Sequence, residues 1–376
     1  MPRPTRVSLP VTRLYERGEV ENVLLTAVVP VHAVPRSLLT QCLDSLLNGL
    51  STEERAAVEI IAVDDASPGD CAAVLDSYAG GHRGVRVVHL TQNVGLGLAR
   101  NAGLAEATGE YVWFVDSDDR LPEGSVRAVL DRLLAERPDV LLIDHLREHE
   151  GGRFEVDASS HLLRRVPGSA PLAERRQLLR VQHTAWNRIV RRGHLRDLDL
   201  WFHPGWYEDV PFSNPVLIGA GRIAVLDRVC YLYRIGRPGA ITATRSDRHF
   251  EAFDQYDRLL EWVAAREPAA WLQAELFTLM INHLLVVAGN DGRLHPSRRH
   301  AFFRRIAAHY RRHRPAGHLV PAGVQGLKQR LVAANAYPLY ALSRAAYQIR
   351  RGTEWTPAVL PDLASSPRKP QTVRLR

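Results

Sequence analysis

The amino-acid sequence predicts an α/β fold, a doubly wound and mostly parallel sheet, followed by a helical module. Between residues 23 and 245, short apolar runs alternate with longer segments of helical spacing, which favours right-handed strand–helix–strand crossovers. The run 111–115 does not alternate with polar residues, as expected for a strand that is covered on both faces. After about residue 245 the strand signals fade, and apolar residues recur at helical intervals.

The individual elements follow in chain order from these patterns. Strands are predicted at 23–29, 59–63, 85–90, 111–115 and 140–143, with two shorter strands at 222–226 and 229–233. Helices are predicted at 36–47, 70–78, 96–107 and 124–136, and the helical module draws on 250–287 and 302–347. Four regions are therefore expected: an N-terminal extension (1–22), the sheet domain (23–245), the helical module (246–352) and a flexible basic tail (353–376).

Composition limits the classes of protein to which the chain can belong. Its 376 residues, 45% of them hydrophobic and 24% charged, are typical of a soluble globular protein. The net charge of +8 suits anionic partners such as phosphate groups or a membrane surface. Three widely separated cysteines indicate neither a disulfide framework nor a zinc knuckle, so a reducing cytoplasm is the expected location.

No segment is predicted to cross a membrane or to direct secretion. Prolines and acidic residues interrupt the first twenty positions, which leaves no apolar segment long enough for a signal peptide. The most apolar later stretch, 276–288, contains Asn282 and His283 and is too short to span a bilayer. We expect this stretch to form a buried core helix.

Three carboxylates follow the predicted buried strand 111–115. Asp116, Asp118 and Asp119 lie within four positions, where they repel one another unless water solvates them or a cation neutralises them. Hard oxygen ligands suit magnesium or manganese rather than zinc. The alternative interpretation is an acidic turn ahead of Pro122.

Other strand ends also carry polar or turn-forming residues, and the carboxyl ends of parallel strands are where ligands gather. The residues at or just beyond the ends of the first three strands are Pro30, Val31, His32, Asp65, Asn93 and Arg100. A crevice lined in this way could hold a nucleotide. A backbone turn at Pro30 could support its base, Asp65 could accept a hydrogen bond from a base N–H, and Arg100, on the next helix, could lie near the base or the phosphates. Each residue alone has an ordinary alternative as a helix cap, a turn residue or a surface charge.

An ordered series of motifs strengthens the nucleotide interpretation. The motifs are VVPVH (28–32), VDDAS (63–67), NVGLGLARNAGL (93–104), FVDSDD (114–119), WNRIV (186–190) and WYEDVPF (206–212). With these motifs, the chain resembles family-2 glycosyltransferases of the GT-A fold from about residue 23 to 245. The helical region beyond matches only loosely, since that part varies within the family.

The resemblance implies transfer of a sugar from a nucleotide-diphosphate donor, such as a UDP-linked sugar, with a divalent cation (Mn²⁺ or Mg²⁺) and inversion at the anomeric carbon. The positions that it assigns to nucleotide-sugar binding are Pro30, Val31, His32, Asp65, Asn93, Arg100 and Asp116. It assigns Asp118, with Asp116, to the metal, and Asp116 also lies nearer the ribose and donor sugar. It places Glu208 and Asp209 at the acidic pair whose second carboxylate is the general base. A charged helix N-terminus is the alternative for that pair.

A loop at 231–244 resembles the family's closing loop over the pyrophosphate. Arg237 and Thr242 occupy positions where a basic residue and a hydroxyl group meet the diphosphate. Pro238 and Ile241 depart from the commoner pattern, so an ordinary surface turn remains the alternative.

Rival functions rest on weaker signals. His145, Glu148 and His149 spell the H-x-x-E-H pattern of inverted zinc peptidases, but they follow a predicted strand rather than lying within a long helix. A dinucleotide-dependent dehydrogenase lacks support because no G-x-G-x-x-G follows the first strand. A non-catalytic GT-A subunit that scaffolds glycan assembly is the remaining alternative.

The C-terminal helical segments mix basic and apolar residues. They predict either peripheral association with the inner face of a membrane or a bundle with a solvated basic face, and no nucleic-acid motif is present. His309 and His313 share i, i+4 spacing, but neighbouring arginines argue against a metal there. The expected acceptor is a cell-surface polysaccharide, a teichoic-acid-like polymer or a lipid-linked glycan, and the oligomeric state is left open.

Overall fold

The computed structural model describes residues 11–12, 23–164, 166–237 and 240–353. The predicted N-terminal extension, apart from Val11–Thr12, lies outside the described residues, as does the predicted basic tail from residue 354 onward. Side chains are described in these ranges except at residues 11–12, 242 and 347–353.

Ten strands form one sheet within the described residues. The strands are β1 (Val11–Thr12), β2 (Leu25–Val31), β3 (Val58–Asp64), β4 (Val85–Leu90), β5 (Tyr111–Phe114), β6 (Val140–Glu148), β7 (Phe154–Val156), β8 (Ser169–Ala170), β9 (Arg188–Arg191) and β10 (Ile223–Arg234). Their order is β1-β4-β3-β2-β5-β9-β6-β10-β8, and β7 pairs with β6. The longest pairings, β2 with β3, β3 with β4 and β6 with β10, are parallel, and so is β2 with β5. The antiparallel strand β9 joins the two parallel halves.

Twelve α-helices accompany the sheet in the same described ranges. They are α1 (Arg36–Leu47), α2 (Thr52–Ala56), α3 (Cys71–Gly81), α4 (Leu96–Glu106), α5 (Ser125–Glu136), α6 (Arg192–Asp197), α7 (Val210–Ile218), α8 (Glu251–Ala264), α9 (Ala270–Gly289), α10 (Pro296–His313), α11 (Gly323–Ala333) and α12 (Tyr337–Thr353). The predicted doubly wound α/β fold with a C-terminal helical region is therefore confirmed.

Helices cover both faces of the sheet. In β2, Ala27 and Val29 belong to the apolar core that includes α1, α3 and α5, whereas Val28 belongs to the core that includes α4 and α7. All three side chains are fully buried. The absence of polar alternation in these strands follows from this two-sided covering.

The helical module shares the second of these cores. Phe212 of α7 and Phe253 of α8 belong to one continuous apolar cluster, which extends to Met280 of α9 and Phe303 of α10. The first three helices of the module therefore share one continuous apolar core with α7 of the sheet domain.

Among the elements that differ from their predicted bounds, two predicted strands are joined into one. The strands predicted at 222–226 and 229–233 form one strand, β10, whose register against β6 shifts between Leu226 and Tyr231. The irregular register interrupts the apolar pattern in the sequence, which explains the predicted break.

The apolar stretch 276–288 belongs to the longer helix α9, which has 20 residues and a mean hydropathy of 1.4 in its most apolar window. The expectation that this stretch is too short to cross a bilayer was wrong, because the complete helix α9 is long enough and apolar enough by length and composition. Half of that window is buried within the described part of the chain, as a core helix would be.

Replacing Gly103 of α4 by alanine is expected to destabilise the fold. A Cβ atom there would lie 2.4 Å from Cγ1 of Val28 and 3.0 Å from Cγ2 of Val63, so α4 would have to move away from β2 and β3. Overpacking of this kind costs about 1–3 kcal/mol of unfolding free energy, which urea denaturation would measure.

The matched control is Gly80→Ala in α3, where nothing lies within 4 Å of the added Cβ. This control should be neutral or slightly stabilising, because alanine favours a helix by up to about 1 kcal/mol relative to glycine. Equal unfolding free energies for the two variants would contradict the assigned packing of α4.

Candidate functional site

The carboxyl ends of β2, β3 and β4 meet at one edge of the sheet, and the predicted nucleotide residues gather there. The His32 ring nitrogen Nδ1 lies 2.9 Å from the carbonyl oxygen of Asp65, and the Asn93 side-chain nitrogen lies 2.9 Å from His32 Nε2. Pro30 and Val31 form the last two residues of β2 and are buried. The fold thus brings the ends of three parallel strands into contact around His32.

Asp65 fixes the loop that leads into α4. Its Oδ1 accepts a hydrogen bond from the Val94 N–H at 2.7 Å, and its Oδ2 accepts one from the Gly95 N–H at 2.9 Å. The residue is only 2% exposed. Each carboxylate oxygen already has a backbone partner, so Asp65 holds the Asn93 loop in place, and its contact with a base stays a prediction.

The three predicted acids after β5 have three different environments. The Asp116 and Asp118 side chains are each 20% exposed, whereas Asp119 is 1% exposed. Asp119 accepts hydrogen bonds from the Tyr231 hydroxyl at 2.8 Å and from the Arg234 N–H at 2.7 Å. Asp119 is therefore held by hydrogen bonds inside the protein, whereas the Asp116 and Asp118 carboxylates are partly exposed.

Burial and mutual repulsion disfavour the charged forms in this cluster. Burial, followed by the charge of Asp116, raises the pKa of Asp118, although Arg237 opposes the shift. Burial and the charges of Asp118 and Asp116 raise the pKa of Asp119 well above its ordinary value. A cation brought between Asp116 and Asp118 would relieve this repulsion.

Arg100 connects Asp116 to the second predicted acidic pair. Its guanidinium donates to Asp116 Oδ1 at 2.6 Å and to Glu208 Oε1 at 2.7 Å. The residue is 2% exposed, and burial alone would lower its pKa, but the Asp116 and Glu208 charges outweigh burial and raise it. Arg100 is therefore a permanent cation between two carboxylates, and its predicted contact with a nucleotide remains untested.

Glycine at position 97 permits the approach of Glu208 to α4. A Cβ at Gly97 would lie 2.8 Å from the His203 carbonyl oxygen and 2.9 Å from Glu208 Cγ. The glycines of the NVGLGLARNAGL motif thus include one that is required for contact between α4 and the segment ahead of α7.

Tyr231 of β10 positions the acidic cluster through its hydroxyl group. The Asp116 N–H donates to the Tyr231 oxygen at 3.0 Å, and that hydroxyl group donates to Asp119. The Trp186 ring of the WNRIV motif stacks on Tyr231 at 4.4 Å between ring centroids. Sequence analysis missed this role of Tyr231 because the contact joins positions 115 residues apart.

Asp209, the predicted base, lies immediately before α7 and differs from its neighbour. Glu208 is 4% exposed and is paired with Arg100, whereas Asp209 is partly exposed. No group in the described ranges forms a hydrogen bond or ion pair with the Asp209 carboxylate. Burial and the adjacent Glu208 charge raise the pKa of Asp209 to about 8. Asp209 is therefore largely protonated at neutral pH, and its carboxylate becomes available to accept a proton as the pH rises toward 8.

The helical module contributes side chains to the surroundings of Asp209. The Tyr207 hydroxyl lies 2.6 Å from His249 Nδ1, and the Tyr256 hydroxyl lies 2.9 Å from His283 Nδ1. Burial, with smaller contributions from the charges of His183 and Arg293, lowers the pKa of His283 to about 3, so its ring is neutral. Sequence analysis missed these residues, apart from the motif that contains Tyr207, because the helical module carried no recognisable motif.

The predicted closing loop contacts the acids directly. Arg237 Nε lies 2.6 Å from Asp118 Oδ2, and the Arg234 guanidinium donates to the Asp118 carbonyl oxygen at 2.6 Å. Thr242 lies in a short 3₁₀ turn, Ile241–Ala243, and its side chain is outside the described residues, as are Pro238 and Gly239. In this structure Arg237 therefore neutralises the carboxylate that is predicted to hold the metal.

Asp116 and Asp118 fit a divalent cation that is completed by other ligands. Hydrogen bonds from Arg100 and Arg237 engage Asp116 Oδ1 and Asp118 Oδ2, and no side chain in the described ranges bonds to the other oxygen of either group. Two carboxylates with open oxygen atoms suit Mg²⁺ or Mn²⁺, which commonly take one or two protein carboxylates together with phosphate oxygens.

The peptidase pattern does not form a zinc site. His145 and Glu148 lie on the strand β6, and His149 follows it, so the two histidines are not one helical turn apart. Glu148 instead pairs with Arg120 at 2.8 Å. The inverted zinc peptidase interpretation is therefore excluded.

Known glycosyltransferases resemble the central part of this chain. Residues 26–199, a little under half of the chain, match the sequence model described as Glycosyl transferase family 2. Over this segment the chain is similar to family-2 glycosyltransferases. The chain is also 27% identical over 226 residues to the uncharacterized glycosyltransferase EpsJ of Bacillus subtilis, a match that covers 58% of this chain and 63% of EpsJ.

The chain is also similar to TarS of Staphylococcus aureus, described as a poly(ribitol-phosphate) β-N-acetylglucosaminyltransferase. The sequences are 27% identical over 211 residues, which cover 55% of this chain and 35% of TarS. A crystal structure of TarS 1–349 in complex with UDP has a TM-score of 0.64 and 19% identity, covering 90% of this chain and 94% of that one. A complex of TarS 1–349 with UDP-GlcNAc has a TM-score of 0.55 and 19% identity, with 90% and 95% coverage.

The extent of these matches limits what they establish. At 19% identity the structural likeness establishes a shared fold. The chain spans less than two thirds of the sequences of EpsJ and TarS. The matched family region ends at residue 199, ahead of Glu208, Asp209 and the closing loop, so the roles of these residues remain predictions.

The raised pKa of Asp209 predicts a pH-dependent change in stability for Asp209→Asn. An unfolded aspartate titrates near about 4, whereas Asp209 in the folded chain titrates at about 8. Between these values the folded state binds more protons, so the wild-type chain loses stability as pH rises. The asparagine variant lacks this loss and should gain at least about 1 kcal/mol relative to wild type between pH 5 and pH 8.5.

Urea unfolding at the two pH values measures the difference. Asp131→Asn, at an exposed position on α5, is the matched control and should show no comparable gain. A difference between Asp209→Asn and wild type that does not change with pH would contradict the raised pKa.

Proposed function

We propose that this chain is a metal-dependent, inverting glycosyltransferase that transfers a sugar from a UDP-linked donor to an acceptor hydroxyl group. The observation that carries the proposal is the Asp209 carboxylate. It has no partner among the described residues and belongs to the same charge network as Asp116 through Arg100 and Glu208. A single displacement with inversion requires one base and no covalent intermediate.

The donor assignment is supported by the acidic edge of the sheet. Asp116 and Asp118 would hold Mg²⁺ or Mn²⁺, and the bound cation would stabilise the charge that develops on the departing diphosphate. His32, Asp65 and Asn93 lie at the adjoining strand ends, where a base and ribose would bind. Solved TarS 1–349 complexes contain UDP and UDP-GlcNAc, which supports a UDP-linked donor for this chain.

Asp209 would remove the proton from the acceptor hydroxyl as the new bond to the anomeric carbon forms. Glu208 cannot share this task while its carboxylate is held by Arg100 at 2.7 Å. Its charge instead raises the pKa of Asp209 to about 8, after the larger effect of burial. A carboxylate with a pKa in that range is a stronger base than an ordinary aspartate, which suits a poorly acidic sugar or polyol hydroxyl.

The acceptor that we propose is a cell-surface polysaccharide, a teichoic-acid-like polymer or a lipid-linked glycan. The named activity of TarS on poly(ribitol-phosphate) supports a polyol-phosphate acceptor, and the net charge of +8 suits an anionic polymer. Such a reaction fits a cytoplasmic enzyme that works at the inner face of the membrane.

A donor panel tests the proposed activity. Purified protein with Mn²⁺ should release nucleoside diphosphate from a UDP-linked sugar, and Asp209→Asn should lower kcat about 100-fold or more, the usual contribution of a general base. The Michaelis constant for the donor should change little, since Asp209 lies outside the donor-binding acids.

Coupled detection of released UDP measures both constants. Asp131→Asn serves as the control for an exposed carboxylate. Absence of nucleoside diphosphate release with every donor would leave the non-catalytic scaffold as the better interpretation, and full activity in Asp209→Asn would remove that residue as the base.

The variant Asp118→Asn tests whether Asp118 contributes to metal-dependent binding of the donor. The variant loses a negatively charged oxygen ligand, so donor affinity in the presence of Mn²⁺ should fall at least about tenfold. Calorimetric titration with UDP, with Mn²⁺ and with a chelator, measures the change. Equal UDP affinity in the variant and in wild type would contradict the metal assignment.

A further inference from the structure

The helices α8 and α10 bring three metal-ligating side chains together, far along the chain from the acids after β5. His313 Nε2 lies 2.8 Å from Asp257 Oδ1, and His309 Nε2 lies 3.4 Å from Asp257 Oδ2. One ligand atom from each residue lies within 4.8 Å of the other two. Both histidines therefore direct the same ring nitrogen toward one carboxylate.

Helical spacing and packing hold this arrangement before any ligand binds. His309 and His313 lie one turn apart on the same face of α10, and Asp257 approaches from α8. The His309 ring is 7% exposed and packs against Phe253 at 4.7 Å between centroids. Little side-chain freedom would be lost on binding an ion.

The hydrogen bond on the other side of His309 favours a cation between the rings and the carboxylate. His309 Nδ1 lies 3.2 Å from the carbonyl oxygen of Arg305, which can only accept, so Nδ1 carries the proton. A neutral His309 then turns its Nε2 lone pair toward the Asp257 oxygen, and the two repel unless a cation lies between them. A backbone carbonyl that fixes the remote ring nitrogen is the usual support of a metal-bound histidine.

Asp257 also has a cationic neighbour, because Arg312 Nη1 lies 3.5 Å from its Oδ2.

The arginines of α10 do not block the position. Arg305 pairs with Asp254 at 2.6 Å, and the Arg312 side chain is 62% exposed. Arg304 and Arg311 are exposed. The cation repulsion expected from the sequence is thus reduced by Asp254 and Asp257, which the fold supplies from α8.

We propose that Asp257, His309 and His313 form a second metal site, which takes Zn²⁺ or a similar transition ion. Two imidazole nitrogens and one carboxylate oxygen are ligands that favour zinc, cobalt or nickel over Mg²⁺ and Mn²⁺. Water would complete a tetrahedral ligand set. The bound ion clamps α8 to α10 and stabilises the helical module, independently of the proposed transferase activity.

Titration of the chelator-treated full chain with Co²⁺, in excess Mg²⁺ that occupies oxygen-only sites, tests the proposal. Wild type should bind one equivalent, with visible absorption bands of tetrahedral cobalt, and Zn²⁺ should displace it and raise the melting temperature. Asp257→Asn, His309→Gln and His313→Gln should each weaken binding by more than about tenfold, since even the loss of a residue that only hydrogen-bonds to a metal ligand has an effect of that size.

His300→Gln is the matched control, because His300 lies on α10 but is exposed and stacks on Tyr337. It should bind cobalt as wild type does. Absence of the tetrahedral bands in wild type, or binding that persists in all three ligand variants, would overturn the proposal. Should a variant fail to fold, X-ray absorption of the wild-type zinc complex decides: two imidazole ligands support the site, and none refutes it.

Discussion

The Arg100 guanidinium, buried between Asp116 and Glu208, is the interaction on which the arrangement of the site depends. Arg100 lies on α4, 108 positions before Glu208, which lies just ahead of α7. Loss of one partner from a buried ion pair leaves an uncompensated charge, at a cost of about 3–5 kcal/mol. The network therefore fixes the segment that carries Asp209 against the edge of the sheet that carries the acids.

Local sequence patterns predicted the parallel strands and most helix bounds, because the apolar residues of each helix recur at the helical period and those of each buried strand form a short continuous run. The bounds of α1 and β4 agree with the predicted ones. The family motifs selected Asp116 and Asp209, and the charge of Asp116 acts on Asp209 in the fold, while their catalytic roles stay predictions. Pairings between distant positions were not predictable. Asp257 and His309 meet only because α8 and α10 pack side by side, and no spacing within either segment records that contact.

The three aspartates after β5 are identical residues that acquire different hydrogen bonds and different pKa values in the fold. In the sequence, three aspartates are chemically identical. The stacked Trp186 and Tyr231 rings hold a hydroxyl group beneath Asp119, which separates it from the two carboxylates that face the cleft. Burial also explains the shifted proton affinities of Asp118 and Asp119, which depend on distance from solvent rather than on residue type.

Arg237 already forms an ion pair with Asp118, the carboxylate that is predicted to hold the metal. Any cation that binds Asp118 through Oδ2 must displace a guanidinium that lies 2.6 Å away. The displaced positive charge stays on the same loop, beside whatever anion enters the cleft. Binding of a metal and of an anion would therefore be thermodynamically linked, so that each would raise the affinity for the other. Arg237 would pair with Asp118 when the site is empty and with the anion when the metal is bound.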